Sequence, residues 1–465
     1  VSELRLVPAA LVCWGCCLLI LYFREPWLSV IVVSVAMVLA IAWRAFGQAM
    51  VVGVLGAAVT AVSSMRVHTV DTHVASRVYF GQVAGEAIAT TAGGWLVPMK
   101  IPGLPGEMPV IVSEKPPEIG THVVAGLHKT EGERVGLYPH LLKGESLNVV
   151  SPAAGIAEWA NEVKETFRES VVAAVGPKSE GLLPGMVLGD TGLQDASEKQ
   201  LYIDAGLSHL SAVSGSNVTL ITVTAVLLCR AITFGPRLQM GAAACALAGF
   251  VLLVGLEPSV LRASVTGVVG LIAVLGSAQT QPIHALCLAV IGLLLWDSSL
   301  AASYGFALSV AATAGIVTLF PLIYRGLANR WLPDVANRAL AVAVAADVVT
   351  LPLIALMAGR VPTVSVLANV LVAPAVAPVT IFGLIAAGLS LLPGGLEWPL
   401  LKLAEPFTWW IHTVAARLTQ LSFSSAETGV GGALLAGMWI VWFFHTRRVP
   451  HLAVGIAALA IASIW

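Results

Sequence analysis

Gly206-Leu-Ser-His-Leu-Ser-Ala-Val-Ser-Gly-Ser-Asn-Val-Thr-Leu220 decides how the rest of the chain is read. It stands where a polar, turn-rich region gives way to apolar segments that run almost to the C-terminus. His209, Ser211, Ser214, Gly215, Ser216 and Asn217 crowd the mouth of the first of those segments. Polar groups are costly in hydrocarbon unless they are paired or face water. The stretch therefore reads as a cavity lining or a broken helix. Gly215 and its small neighbours suit a sharp turn or a close backbone approach, as in discontinuous transport helices.

The rest of the composition agrees. Of 465 residues, 57% are apolar and 11% charged, against roughly 25% charged in a soluble domain. The chain is expected to be an α-helical polytopic membrane protein with about ten to twelve spans, some broken or re-entrant. A net charge of −1 points to no class of partner. The six cysteines all lie in apolar segments, and Cys13-Trp-Gly-Cys16-Cys17 reads as buried packing rather than a redox or metal motif.

Working back from the opening stretch, residues 151–205 hold an amphipathic helix and a linker. Trp159, Val163, Phe167, Val171 and Val175 recur every four residues, which predicts a helix over 157–175 that lies on the membrane surface, the favoured reading, or packs on the β domain. Asp195-Ala-Ser-Glu198 is a capping box that opens the next helix. Residues 64–150 are rich in Val, Thr, Gly and Pro. Short strands over 77–89, 110–112, 121–127 and 134–138, parted by turn signals, predict a small β-barrel or sandwich. Seven Lys/Arg against eight Asp/Glu leave it without a basic nucleic-acid footprint. Residues 1–63 read as three spans, 6–23, 27–43 and 49–62; the second follows the first too closely for a cleaved signal peptide.

Forward of the stretch, residues 206–465 form the main membrane domain. Spans are expected over 219–234, 240–256, 259–276, 283–296, 300–320, 339–357, 364–392 (interrupted by Pro374 and Pro378), 431–444 and 452–465. Residues 396–418 are either interfacial or spanning. With the N-terminus inside, Arg44, Arg230, Arg237, Arg325, Arg330, Arg338, Arg447 and Arg448 fall on the cytoplasmic side, and among short connections only Arg24 and Arg360 fall outside. That count puts the β domain outside the cytoplasm.

Four polar sets reach membrane depth: the opening stretch, Arg262 in Glu257-Pro-Ser-Val-Leu-Arg262-Ala-Ser264, Asp347 ahead of Thr350-Leu-Pro352, and Asn369. Ionisable residues in spans mark candidate functional sites. Arg262 reads as a channel cation or a snorkelling side chain, and Asp347 as a path residue or the partner of an arginine such as Arg262. His209 and Ser214 invite a nucleophile-and-base reading, but Val213-Ser214-Gly215 lacks the first glycine of the esterase elbow, and Asp204 is the only close orienting acid. His68-x-x-Asp71-x-His73 is the only dense histidine cluster and reads as solvated surface. No metal, cofactor or Walker motif is expected.

At this point the blocks Ala205-Gly-Leu-Ser-His209-Leu-Ser-Ala-Val-Ser214-Gly215-Ser-Asn217-Val, Pro258-Ser-Val-Leu-Arg262-Ala-Ser, Tyr304-Gly-Phe306-Ala-Leu-Ser309, Thr350-Leu-Pro352 and Val366-Leu-Ala-Asn369-Val-Leu-Val-Ala-Pro374 together resemble the ComEC competence proteins, the DNA-uptake channels of naturally transformable bacteria. The resemblance spans roughly residues 180–390. It implies a channel in the bacterial cytoplasmic membrane that passes single-stranded DNA inward, with an extracytoplasmic domain resembling an OB-fold. The implied channel residues are His209, Ser214, Gly215, Asn217, Arg262, Asp347 and Asn369. Where many relatives have Leu-His after Ser-Gly, this chain has Ser216-Asn217. Many relatives also carry a C-terminal metallo-β-lactamase-like domain; no such metal motif occurs in this sequence, so the resemblance is to a form without it. Implied partners are single-stranded DNA, membrane lipids, a separate DNA receptor, a separate nuclease, and a cytoplasmic motor or single-strand-binding protein. The alternatives are a secondary transporter or lipid-linked-substrate flippase, and a membrane-embedded serine hydrolase.

Overall fold

The computed structural model describes residues 5–73, 78–90, 93–130, 134–211, 215–255, 260–265, 267, 281–327, 333–421 and 423–446. The chain divides into two compact units, Val1–Glu162 with Val251–Phe306, and Val163–Phe250 with Ala307–Trp465.

The first unit begins with α1 (Val7–Phe23), α2 (Trp27–Ala42) and α3 (Phe46–His73). Pro8 sits in the first turn of α1, where a missing N–H costs nothing, and the helix stops at Arg24 in a left-handed conformation, φ 62°. Small residues on α3 let α2 approach closely: a Cβ at Gly56 would stand 2.7 Å from Val33. Cys13, Cys16 and Cys17 are fully buried and pack as small apolar groups, as read from the sequence. α3 runs well past the end expected at residue 62. Its polar last turns persist because they find partners. Ser63 Oγ meets Ser298 Oγ at 2.9 Å, and Arg66 donates to the carbonyls of Leu295 at 2.7 Å and Trp296 at 2.6 Å. These close the C-terminus of a later helix.

The β region holds β1 (Val78–Val83), β2 (Ile88–Ala89), β3 (Trp95–Lys100), β4 (Met108–Val112), β5 (His122–Gly126), β6 (His128–Lys129), β7 (Leu142–Gly144) and β8 (Asn148–Ser151). Hydrogen-bonded neighbours run β6-β7-β4-β3-β1-β5-β8, with β2 on β3. All pairs are antiparallel except β4–β7, which is parallel. Among the described residues no ladder joins β6 to β8, so the pairing path is open. Val97, Met99, Val110, Val123 and Ala125 are fully buried and form its core. Two readings change here. β3 contains Pro98, which hid it as a strand; its carbonyl accepts the N–H of Ala84 at 2.8 Å. Residues 135–140 bend instead of forming the expected strand, because Gly136 and Pro139 interrupt it, and the strand follows at β7.

α4 (Ile156–Ala174), which enters the second unit at Val163, buries Val163, Phe167 and Val171 to 2% exposure or less. The stripe is packed in protein, which corrects the membrane-surface reading of this helix. α5 (Pro177–Glu180), α6 (Leu182–Leu188) and α7 (Ala196–Asp204) follow. Asp195 caps α7 as expected, accepting the Glu198 N–H at 2.7 Å. Beyond the opening stretch come α8 (Gly215–Ala231), α9 (Pro236–Val254), α10 (Pro282–Trp296) in the first unit, α11 (Tyr304–Leu327), α12 (Asp334–Ala358), α13 (Ser365–Leu389), α14 (Trp398–Thr419) and α15 (Val430–Thr446). The connectors flanking α13 and α14 pair as a ribbon, β9 (Arg360–Pro362) with β10 (Ser425–Glu427).

α3, α9, α11, α12 and α13 are long and apolar enough to cross a membrane, and α1, α2, α10 and parts of α8 and α15 are shorter apolar helices. The chain is a multi-pass membrane protein. Among the described residues five helices reach full spanning length and five more are shorter apolar helices, of which α1, α2 and α10 hold 17, 16 and 15 residues against about 20 for a typical span. The expected spans over 452–465 and most of 259–276 lie outside the described residues. Pro374 and Pro378 do not interrupt α13, which runs unbroken through both. The Trp410 indole N–H donates to the Leu371 carbonyl at 2.9 Å, beside the turn that Pro374 disturbs.

Candidate channel mouth

Gly206 turns the chain out of α7 with φ +71°, and a Cβ there would lie 2.5 Å from both Cβ and Oγ of Ser365 and 3.1 Å from Pro362 Cγ. Only glycine fits both the angle and the space. A 3-10 turn, Ser208–Leu210, follows; it exposes His209 and buries Leu210. Ser214 lies outside the described residues, so the nucleophile-and-base reading has no geometry to stand on. α8 opens at Gly215.

Asn217, in the first turn of α8, is 3% exposed, and its Nδ2 donates to the Met186 carbonyl at 2.7 Å. That carbonyl belongs to the last turn of α6, where helix oxygens lack partners along the chain. Every residue of α6 is buried. The helix is wedged between the opening stretch, where a Cβ at Gly185 would lie 3.0 Å from the Ser211 carbonyl, and α13, where a Cβ at Gly383 would lie 2.3 Å from Val187. Just beyond α6, Asp190 is nearly enclosed. Arg168 pairs with it at 2.7 Å and the Gly192 N–H donates to it at 2.9 Å. An apolar cluster packed against the opening stretch combines Leu182, Met186, Leu207, Leu210, Ala368, Val372 and Ile411, drawn from α6, the turn, α13 and α14.

Ser365 gathers the remaining polar residues. It is buried at 4% exposure in the first turn of α13. Its hydroxyl donates to Asp347 Oδ1 at 3.2 Å. Asn369, one turn on, donates to the Ser365 carbonyl at 3.0 Å and to its Oγ at 3.3 Å. Asp347 stands near the middle of the 25-residue α12. The opening stretch, Asp347 and Asn369 are thus joined through one serine that the sequence did not single out. The signal available was Ser365 and Asn369 at i,i+4, which places both on one helix face. Arg262 is half-buried on a helical segment, residues 260–265, and belongs to the first unit. It is therefore not placed with the others.

The histidine cluster belongs to the first unit. His68, Asp71 and His73 end α3: Asp71 pairs with Arg24, and His73 Nδ1 meets the Thr69 carbonyl at 2.9 Å. No group of three His, Cys, Asp or Glu side chains that could hold a metal is found among the described residues. On the β domain, Tyr79 is 5% exposed and points into the core, because residues alternate along β1; Phe80 is 47% exposed and stacks on His122 at 5.8 Å.

Comparison with known proteins places these parts in a family. No curated protein and no solved structure matches the chain. The model of the competence protein family matches residues 186–449, more than half of the chain, from within α6 to just past α15, and so takes in Asn217, Asp347, Ser365 and Asn369. By that match the chain belongs to the competence protein family.

Proposed function

We propose that this chain is a channel of the bacterial cytoplasmic membrane that passes single-stranded DNA into the cytoplasm during natural transformation. The observation that carries the reading is the junction at Ser365, where the opening stretch meets polar residues of two helices of spanning length within the family match. Polar groups within spanning helices are maintained where a path or a joint needs them. His209, Gly215 and Asn217 line or shape the outer mouth, with Ser214 between them in the chain. Asp347 and Asn369 lie deeper, and Arg262 relieves phosphate charge along the route. Conduction is passive; a receptor, a nuclease and a cytoplasmic motor or single-strand-binding protein act with the channel, within a lipid bilayer.

The β domain faces outward on the count of Lys and Arg in the connections. Two features support an OB-like barrel. Only Leu127 separates β5 from β6, so the ladder β1-β3-β4-β7-β6 leads back to the strand beside β1. The parallel β4–β7 pair is the second. Phe80 and His122 then offer an exposed stacking surface for bases.

Deleting the gene should abolish transformation while capture of labelled donor DNA at the cell surface stays intact. Persistent transformation removes the channel reading. In Arg262→Ala and Asn217→Ala strains with normal protein levels, uptake should fall; normal uptake in both removes the site assignment. A secondary transporter or flippase is the second reading, favoured by the Asp347–Ser365–Asn369 chain between spanning helices. Solute uptake that depends on a proton gradient and is lost in Asp347→Asn would select it.

A further inference from the structure

The β9–β10 ribbon carries a cation to the mouth. The ribbon is anchored by Val361, 8% exposed in a cluster with Ala355 and Ala433, and it is extended by the Thr363 N–H to the Ser424 carbonyl at 3.0 Å. Pro362 is seated against Gly206, 3.1 Å from where a Cβ would be. Two residues earlier, Arg360 Nη2 reaches Asp204 Oδ1 at 2.9 Å, at the end of α7 and just before Gly206. Both ends of this pair reach solvent, with side chains 44% and 30% exposed. Exposed ion pairs of this kind are weakly held. Asp204 Oδ1 also accepts from Gln200 Nε2 at 2.8 Å, so the carboxylate keeps a donor if the arginine leaves. Across the ribbon, Glu427 is the register partner of Arg360.

We propose that Arg360 is a phosphate-binding side chain at the outer mouth, held by Asp204 until a strand arrives. The inference rests on the reading that the chain passes DNA, and it adds the residue that first receives the backbone. A guanidinium presents the same fork of donors to a phosphodiester as to a carboxylate. With Asp204 beside it and Glu427 across the ribbon, a small free anion gains little there. A polyanionic strand, whose other phosphates are met elsewhere, gains the exchange and releases counterions. The ion pair is thus a latch that a strand opens and a single phosphate does not.

The test uses the full chain in lipid nanodiscs and a fluorescein-labelled single-stranded oligonucleotide, with binding read by anisotropy across a salt series. Arg360→Gln should lower the slope of log affinity against log salt by about 0.7, the share of one phosphate contact on a single strand. Arg360→Lys should keep the slope. Asp204→Asn, which frees the guanidinium, should tighten binding up to about fivefold. A purely structural ion pair gives the opposite pattern, in which neutralising either end weakens binding alike; that result, or an unchanged slope in Arg360→Gln, overturns the proposal. Thermal melts of each variant separate lost contact from lost fold. If the wild-type chain shows no salt-dependent binding, the DNA reading falls and the proposal with it; normal wild-type binding with an unaltered Arg360→Gln removes only the proposal.

Discussion

Gly206→Ala probes the contact on which the proposed channel mouth rests. The new methyl meets two separate penalties. A left-handed φ of +71° costs an L-residue about 1–2 kcal/mol. A Cβ 2.5 Å from Ser365 Cβ and Oγ forces movement in a packed site, worth about 1–3 kcal/mol. The single variant should therefore lose roughly 2–5 kcal/mol. Only the second penalty depends on Ser365. Ser365→Gly loses about 1 kcal/mol of helix propensity and about 1 kcal/mol from each of the two hydrogen bonds of its hydroxyl, to Asp347 and from Asn369, yet it removes both of the closest clashing atoms. In the double variant the overpacking disappears, and the coupling energy should be about 1–3 kcal/mol in favour of the pair. The assay is chemical denaturation in mixed micelles, followed by tryptophan fluorescence, on the two single variants and the double. Additivity within about 0.5 kcal/mol would falsify the contact and, with it, the junction between the opening stretch and α13.

Three further outcomes follow from the geometry. Asn217→Ala strands the Met186 carbonyl in the interior and should cost about 1–3 kcal/mol of stability, measured in the same micelles; a loss below about 0.5 kcal/mol means that water reaches that carbonyl. Trp410→Phe keeps an aromatic ring but removes the donor to Leu371, so α13 should exchange amide hydrogens faster around residues 371–378, and equal protection in both proteins refutes that support. At the cap of α7, the Glu198 N–H and then the Ser197 hydroxyl hold the Asp195 carboxyl below its ordinary range. A depressed carboxylate stabilises the fold above its unfolded value of about 3.9 and loses that contribution as pH falls through the lower folded value. Protection of residues 196–204 should therefore drop in acid for the wild type and stay flat for Asp195→Asn; parallel profiles refute the assignment.

Particular elements show how much of this was legible. The membrane class, the capped α7, the buried cysteines of α1 and the apolar stripe of α4 could be read directly, because composition and periodicity report burial locally. The errors were also local. Pro98 concealed β3, which tolerates it because the neighbouring Ala84 N–H uses the Pro98 carbonyl. Pro374 and Pro378 looked like a break in α13, although Trp410 supports the disturbed turn from a separate helix. The polar end of α3 looked like a loop until Ser298 and the C-terminal carbonyls of α10 supplied partners. In each case a distant group satisfied the backbone or side chain that seemed to forbid the element.

The same division holds at the mouth. Sequence alone determined that a polar stretch at 206–220 opens into apolar helices, that Asp347 and Asn369 sit within them, and which family the pattern resembles. Each of those is a property of residues adjacent in the chain. Only the tertiary structure decided that Ser365 joins Gly206, Asp347 and Asn369, that Asn217 closes α6 through Met186, and that Arg360 reaches the mouth through Asp204. Those contacts arise where helices and connectors far apart in the chain are packed to within a few ångströms. The local pattern makes each residue polar or small; the packing decides which partner satisfies it.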